Sequence, residues 1–250
     1  MEQITSRKNA YIRHLRSLAG ERAYRRQQGE YLCDGMKLLR EAVAAGAEIT
    51  SVLCRECLPA EPLPAVPVYV APEELFRYVS PMEESPGPLF TVRMHSTEFA
   101  APPERVIVLE NLQDPGNVGT VLRTAAAMGA DAVVLTGACA DIYNPKAVRA
   151  TMGAIFRQKV IQTDIPGLRA LLEQWKLPLY GAALSDTAED IRNVVLSRSA
   201  VAVGNEGKGL SRELLDACDG CVIIPMAPGS ESLNAAVAAS VILWEMRRSL

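Results

Sequence analysis

The sequence predicts an α/β fold, a parallel sheet with helices on both faces, preceded by a small α/β domain. Three observations carry this. After Pro103, short apolar runs alternate with segments of helical periodicity. Those runs are apolar throughout, as in strands buried on both faces of a parallel sheet. Between Ser80 and Pro103 the chain carries Pro81, Pro86, Pro88, Pro102 and Pro103 and its periodicity fades, which predicts a linker or interdomain hairpin between a domain at 1–98 and another at 99–250. With 250 residues, 49% of them apolar, the chain can bury a core in each.

The first thirty residues hold Arg7, Lys8, Arg13, Arg16, Arg22, Arg25 and Arg26 against Glu2, Glu21 and Glu30, with Tyr11, His14 and Tyr24 interleaved. Such a run suits a solvated helix face and a nucleic-acid backbone equally. Leu38, Leu39, Ala42 and Val43 then recur at helical spacing. Ile49, Val52 and Leu53, and next Val66, Val68 and Val70, read as short strands; Leu89–Val92 is a further strand inside the proline-rich stretch.

In the second domain the order is strand 106–109, helix 115–128, strand 132–135, helix 145–156, strand 160–161, helix 165–175 and strand 179–182. Strand 200–203, helix 211–217, strand 222–224 and helix 232–248 complete it. Asp114 before Pro115 marks a helix start, the acid as cap and the proline at the first helical position. Ser232 is read as the cap of the last helix.

The net charge of −3 argues against a protein that coats nucleic acid by charge alone. No apolar run approaches the roughly 20 residues of a bilayer span. The amino terminus carries arginines with no apolar stretch behind them, so no secretory signal is expected and the cytoplasm is the expected compartment. The six cysteines include two CxxC pairs, Cys54/Cys57 and Cys218/Cys221. Zinc ligation and burial as small apolar residues both fit that spacing, and reduced thiols without metal are the expectation.

Three segments stand out where a strand gives way to a helix, the place at which open α/β sheets bind ligands. In the first, Asn117 is followed by Arg123 in a helix otherwise lined by Val121, Leu122, Ala125 and Met128, so the guanidinium is a surface group or an anion clamp. In the second, Gly204-Asn205-Glu206-Gly207-Lys208-Gly209, the spacing fits neither a Walker loop nor a dinucleotide fingerprint. A carboxylate in such a turn suits a neutral or cationic ligand, or simply solvent. The third runs from Ile224-Pro225-Met226 to Ser232-Leu233-Asn234; its serine and asparagine are capping types singly, and with the glycine turn they form a polar floor of the kind that binds an adenine-bearing cofactor.

Taken together, the three segments resemble the signature motifs of the SpoU, or SPOUT-class, RNA ribose 2′-O-methyltransferases, in order, spacing and strand-to-helix context over roughly 104–250. One departure is Pro228 ahead of Gly229, although the spacing from Ile224 to Leu233 is kept. The opening Ile4-Thr5-Ser6-Arg7-Lys8-Asn9, with Gly35 and Glu41-Ala42, looks like the ribosomal-protein-like substrate-binding domain often fused ahead of such catalytic domains.

The resemblance implies a deep trefoil knot at the carboxyl-terminal end of the sheet, a homodimer, and S-adenosylmethionine bound by Gly204, Ile224 and Leu233 with backbone near Ala182 and Met226. It assigns Arg123 the activation of the ribose hydroxyl and gives Asn117, Glu206, Ser232 and Asn234 positioning roles. A guanidinium stays protonated at neutral pH, so clamping phosphate and stabilising a developing alkoxide suit Arg123 better than acting as a base. Arg7, Lys8, Arg13, Arg22, Arg25 and Arg26 then become an RNA-gripping arm, with Tyr11 and Tyr24 to stack on unpaired bases. Ribosomal RNA is the expected substrate. The alternatives are a transfer-RNA methyltransferase, a non-catalytic RNA-binding or ribosome-assembly factor on the same fold, and a nucleotide-dependent enzyme of the doubly wound class.

Overall fold

A computed structural model describes all residues except 1, 95, 96, 186, 206, 230, 231, 249 and 250. The chain forms two compact units, one of residues 1–96 with Asp141–Phe156, the other of Thr97–Ala140 with Arg157–Leu250. The break after residue 96 lies close to the expected one, but the expected division at 98 contains no excursion, and 141–156 belongs to the first unit.

The first unit holds a five-stranded sheet in the order β1 (Glu2–Gln3), β4 (Val68–Ala71), β3 (Ile49–Arg55), β5 (Leu89–Arg93), β2 (Glu30–Asp34). The first three are mutually parallel, whereas β5 runs antiparallel to both neighbours. The proline-rich stretch expected to link domains therefore contains an inner strand of this sheet. Helices α1 (Ala10–Gly20), α2 (Arg22–Gln28), α3 (Met36–Ala44) and α4 (Glu73–Val79) accompany it. Ile12, Leu15 and Leu18, at helical spacing on α1, pack with Phe76 and Val79 of α4 against Leu53 and Leu89. Leu38, Leu39 and Ala42 of α3 lie in a second cluster with Val52, Phe90 and Val92, completed by Val148, Ile155 and Phe156 from the excursion.

In the second unit, β6 (Arg105–Glu110), β7 (Ala132–Thr136), β8 (Val160–Gln162), β9 (Leu179–Ala182), β10 (Glu189–Asp190), β11 (Ser199–Val203) and β12 (Gly220–Ile223) form one sheet ordered β10-β12-β9-β11-β6-β7-β8. Every pairing is parallel. Helix α5 (Pro115–Met128) starts as predicted, with the Asp114 side chain accepting from the Asn117 N–H and proline in the first turn. It ends at Gly129, whose φ of 75° is the left-handed geometry of a helix stop. α7 (Ile165–Trp175), α8 (Arg212–Asp216) and α9 (Ala235–Arg248) complete the unit.

The helix expected at 145–156 stops early. α6 (Pro145–Ala150) ends at Thr151, and Met152 and Gly153 take positive φ before a short 3₁₀ turn at Ala154–Phe156. A side chain on Gly153 would sit 2.7 Å from Cβ of Glu41, so the backbone passes too close to α3 for a regular helix. The last helix begins three residues later than expected. Asn234 caps it, its Oδ1 accepting from the Ala236 and Val237 N–H groups, and Ser232 lies in the preceding loop.

Candidate active site

Apolar strands β9, β11 and β12 end side by side, and their carboxyl ends open into a cleft of about 400 Å³. Ala182 ends β9, Gly204 follows β11, Ile224 follows β12, and Met226, Ser232 and Leu233 come from the loop before α9; all of them line the cleft. The structure thus brings the five residues expected at a cofactor into one cavity together with Ser232. Glu206 lies outside the described residues.

Backbone packing explains the glycine at 204. A Cβ there would stand 2.2 Å from the carbonyl carbon of Gly209, so only a hydrogen fits between the two limbs of the turn. Asn205 and Gly209 exchange backbone hydrogen bonds of 3.1 and 2.8 Å across it. The Asn205 side chain holds the turn from within, Oδ1 accepting from the Gly207 and Lys208 N–H groups, while Nδ2 donates to the Asn111 carbonyl at 3.2 Å. Asn111, at φ 54°, accepts from the Ala138 N–H through its own Oδ1.

Glu110, the last residue of β6, is buried and accepts from both the N–H and the Oγ–H of Ser211, at 2.7 and 2.6 Å. Ser211 in turn caps α8. These charge-assisted bonds fasten the far end of the glycine turn to the neighbouring strand. The anchoring residues Glu110, Asn111, Asn205 and Ser211 were not singled out as site residues. Glu110 and Ser211 are 101 positions apart, and the available signal was an acid ending an apolar strand and a capping serine ending a glycine turn.

The described residues expected to act on substrate separate into three places, Ser232 in the cleft and the others outside it. Asn117, in the first turn of α5, accepts at 3.4 Å from Nδ2 of Asn234 at the head of α9, and both border a shallow cavity with Val237, Val241 and Trp244. Arg123 lies on the exposed side of α5 and lines neither cavity.

In the first unit, Lys8, Arg13, Arg22 and Arg26 are exposed, as a phosphate-binding surface needs. Arg7 is exposed too, ion-paired with Glu74 and set over the Tyr78 ring. Arg25 must be withdrawn from that surface. It is only 2% exposed, donates from Nε and Nη2 to Asp141 at 2.9 and 2.6 Å, and reaches the Leu18 carbonyl. Burial of its stem among core residues turns the guanidinium into an internal tie. Tyr11 is likewise committed, stacked on Tyr69 with its hydroxyl donating to Ser51, and burial raises its phenol well above the usual range. Tyr24 bonds to His14, which also meets Glu30.

The CxxC pairs lie at strand ends. Burial raises the Cys54 thiol to about 11 and the Cys218 thiol to about 12, so both stay protonated at neutral pH. Among the described residues no group of three or more His, Cys, Asp or Glu is placed to hold a metal.

Residues 104–244 match the model of the SpoU rRNA Methylase family, and residues 9–89 match that of the MRM3-like substrate binding domain. The 23S rRNA (guanosine(2553)-2′-O)-methyltransferase of Bacillus subtilis is 32% identical, over 99% of this chain and all 100% of its own. A 23S rRNA (uridine(2479)-2′-O)-methyltransferase of Streptomyces viridochromogenes is 31% identical, over 98% of this chain and 92% of that protein. The crystal structure of the SpoU methyltransferase AviRb from Streptomyces viridochromogenes with AdoMet superposes with a TM-score of 0.85 at 28% identity, covering 96% of this chain and 98% of that one.

Proposed function

Because this chain belongs to the SpoU rRNA methylase family, we propose that it methylates a ribose 2′-hydroxyl of ribosomal RNA with S-adenosylmethionine, in the cytoplasm. The observation that carries the reading is the glycine turn at the end of β11, whose backbone limbs approach closely at Gly204 and border the cleft at the ends of β9, β11 and β12.

The residues present suit the cofactor. Ala182, Ile224 and Leu233 offer apolar walls, and a cleft of about 400 Å³ is within the range of small-molecule sites. Gly204 and Met226 would complete the enclosure. Bound S-adenosylmethionine supplies an electrophilic methyl group. The chain's task is then to hold the ribose oxygen in line with it, which can account for several kcal/mol of barrier. Asn117, Ser232 and Asn234 would position substrate and cofactor, Glu206 would assist them, and Arg123 would hold phosphate and steady the charge that develops on the 2′-oxygen.

The first unit would grip RNA through Arg7, Lys8, Arg13, Arg22 and Arg26, contacting phosphates without reading sequence; its match to a substrate-binding family supports this. The sheet order, with β11 between β9 and β6 and β12 between β10 and β9, supports the trefoil knot implied by the motifs. The exposed Val237, Val241 and Trp244 on α9 support a homodimer through that helix. Incubating the protein with labelled S-adenosylmethionine and either unmodified 23S rRNA or bulk tRNA tests the reading. Label in ribose 2′-O positions of the rRNA is expected; label in neither RNA, with S-adenosylhomocysteine failing to bind, overturns it.

A further inference from the structure

The first unit contains a second cavity, of about 290 Å³, separate from the cleft. Leu32 of β2, Leu38 of α3 and Pro81 give it apolar walls, and Asp34, Lys146 and Arg149 bring charge to it. Its size lies just under that of sites for whole small molecules and suits one planar ring. Asp34 ends β2 and is held by two hydroxyls: Oδ1 accepts from Ser85 at 2.5 Å and Oδ2 from Ser80 at 3.3 Å. Each carboxylate oxygen has a second acceptor site, so the group can still accept two hydrogen bonds, one on each oxygen. Burial raises the Asp34 carboxyl, the two serine hydroxyls and the nearby Arg149 oppose that, and the net shift is upward. Such a carboxylate gains from further donors. Arg149 donates to the sulfur of Met82 at 3.1 Å, which fixes its flat guanidinium at the cavity.

We propose that this cavity takes a single unpaired guanine of the RNA substrate, read by the Asp34 carboxylate, with Lys146 and Arg149 on its phosphate and ring face. Only guanine offers two adjacent donors, N1–H and the 2-amino group, on the edge that would meet the two carboxylate oxygens. Adenine and cytosine place an acceptor beside their amino group, and uracil has one donor between two acceptors. Looped-out bases read on that edge and stacked on arginine are how proteins select single-stranded RNA. The inference rests on RNA being the substrate and adds a base preference located in the first unit.

Anisotropy of fluorescein-labelled RNA pentamers UUGUU, UUIUU and UUAUU with the full chain tests it. Inosine lacks the 2-amino donor. UUGUU is expected to bind about tenfold tighter than UUAUU, the scale of one bidentate contact, with UUIUU between them. Asp34→Asn, which keeps the serine contacts but loses one acceptor, is expected to erase the preference and leave S-adenosylhomocysteine binding unchanged. Lys146→Met and Arg149→Met are expected to weaken all three RNAs alike. Equal binding of the three RNAs by the unaltered protein, or a preference that survives Asp34→Asn, overturns the proposal. Failure of the unaltered protein to bind S-adenosylhomocysteine would instead count against the methyltransferase reading, since the Asp34, Lys146 and Arg149 variants alter the first unit alone.

Discussion

Gly204 is the residue on which the cleft turns, because any side chain there meets the backbone of Gly209 and Leu210 on the opposite limb of the bend. Gly204→Ala is expected to cost about 1–3 kcal/mol of packing strain and to lower S-adenosylhomocysteine affinity, read by calorimetry, by about fivefold to a hundredfold. Arg123 should behave oppositely. It is exposed, so Arg123→Ala should leave stability within about 0.5 kcal/mol and cofactor affinity intact, while methyl transfer falls by about 10²-fold or more. Arg25 was legible only as one more cation in a basic run. Its partner Asp141 lies 116 positions away, and no local pattern announces a pair at that distance. Arg25→Met leaves Asp141 without its cation in a largely buried place and is expected to destabilise the protein by about 3–5 kcal/mol in urea unfolding. Arg22→Met should leave the unfolding curve unchanged and weaken RNA binding, with a shallower salt dependence.

Whole elements were legible where their ends carry capping chemistry. α5 and α7 begin after Asp114 and Asp164, each side chain accepting from the N–H three residues on, with proline in the first turn. Both helices run as the sequence predicts. At α9 two capping types, Ser232 and Asn234, compete within three residues, and local pattern does not choose between them. The structure favours Asn234, so Asn234→Ala should cost about 1 kcal/mol and Ser232→Ala nothing measurable in thermal unfolding. β2 and α4 were not read at all. β2 follows immediately on a helix and a left-handed Gly29, and α4 spans seven residues, too few for its periodicity to stand out from the strands around it. α6 was drawn too long because the obstacle at Gly153 is the side chain of Glu41, more than a hundred positions earlier.

At the scale of the molecule, apolar strands and intervening helices were enough for the parallel sheet, since nothing else buries such strands on both faces. The order of strands within it was not legible from periodicity, which carries no information on neighbours. That order places residues from two of the three motifs, the glycine turn after β11 and the loop after β12, in one cleft with Ala182 of β9. Trp244, 58% exposed on α9 beside the exposed Val237 and Val241, forms part of an apolar surface that a partner could cover. The proposed homodimer through α9 predicts that Trp244→Glu gives a monomer by light scattering while far-UV circular dichroism stays the same.

The excursion of Asp141–Phe156 has a practical corollary for anyone dissecting the chain. Val148, Ile155 and Phe156 leave the β7–β8 connection of one unit to finish the apolar interior of the other. Scissors applied after residue 98 would therefore produce two damaged pieces, one missing a plug and one trailing it into water. The ribbon leaves the first unit, returns to it at Asp141 and leaves it again after Phe156, so no single cut divides the two.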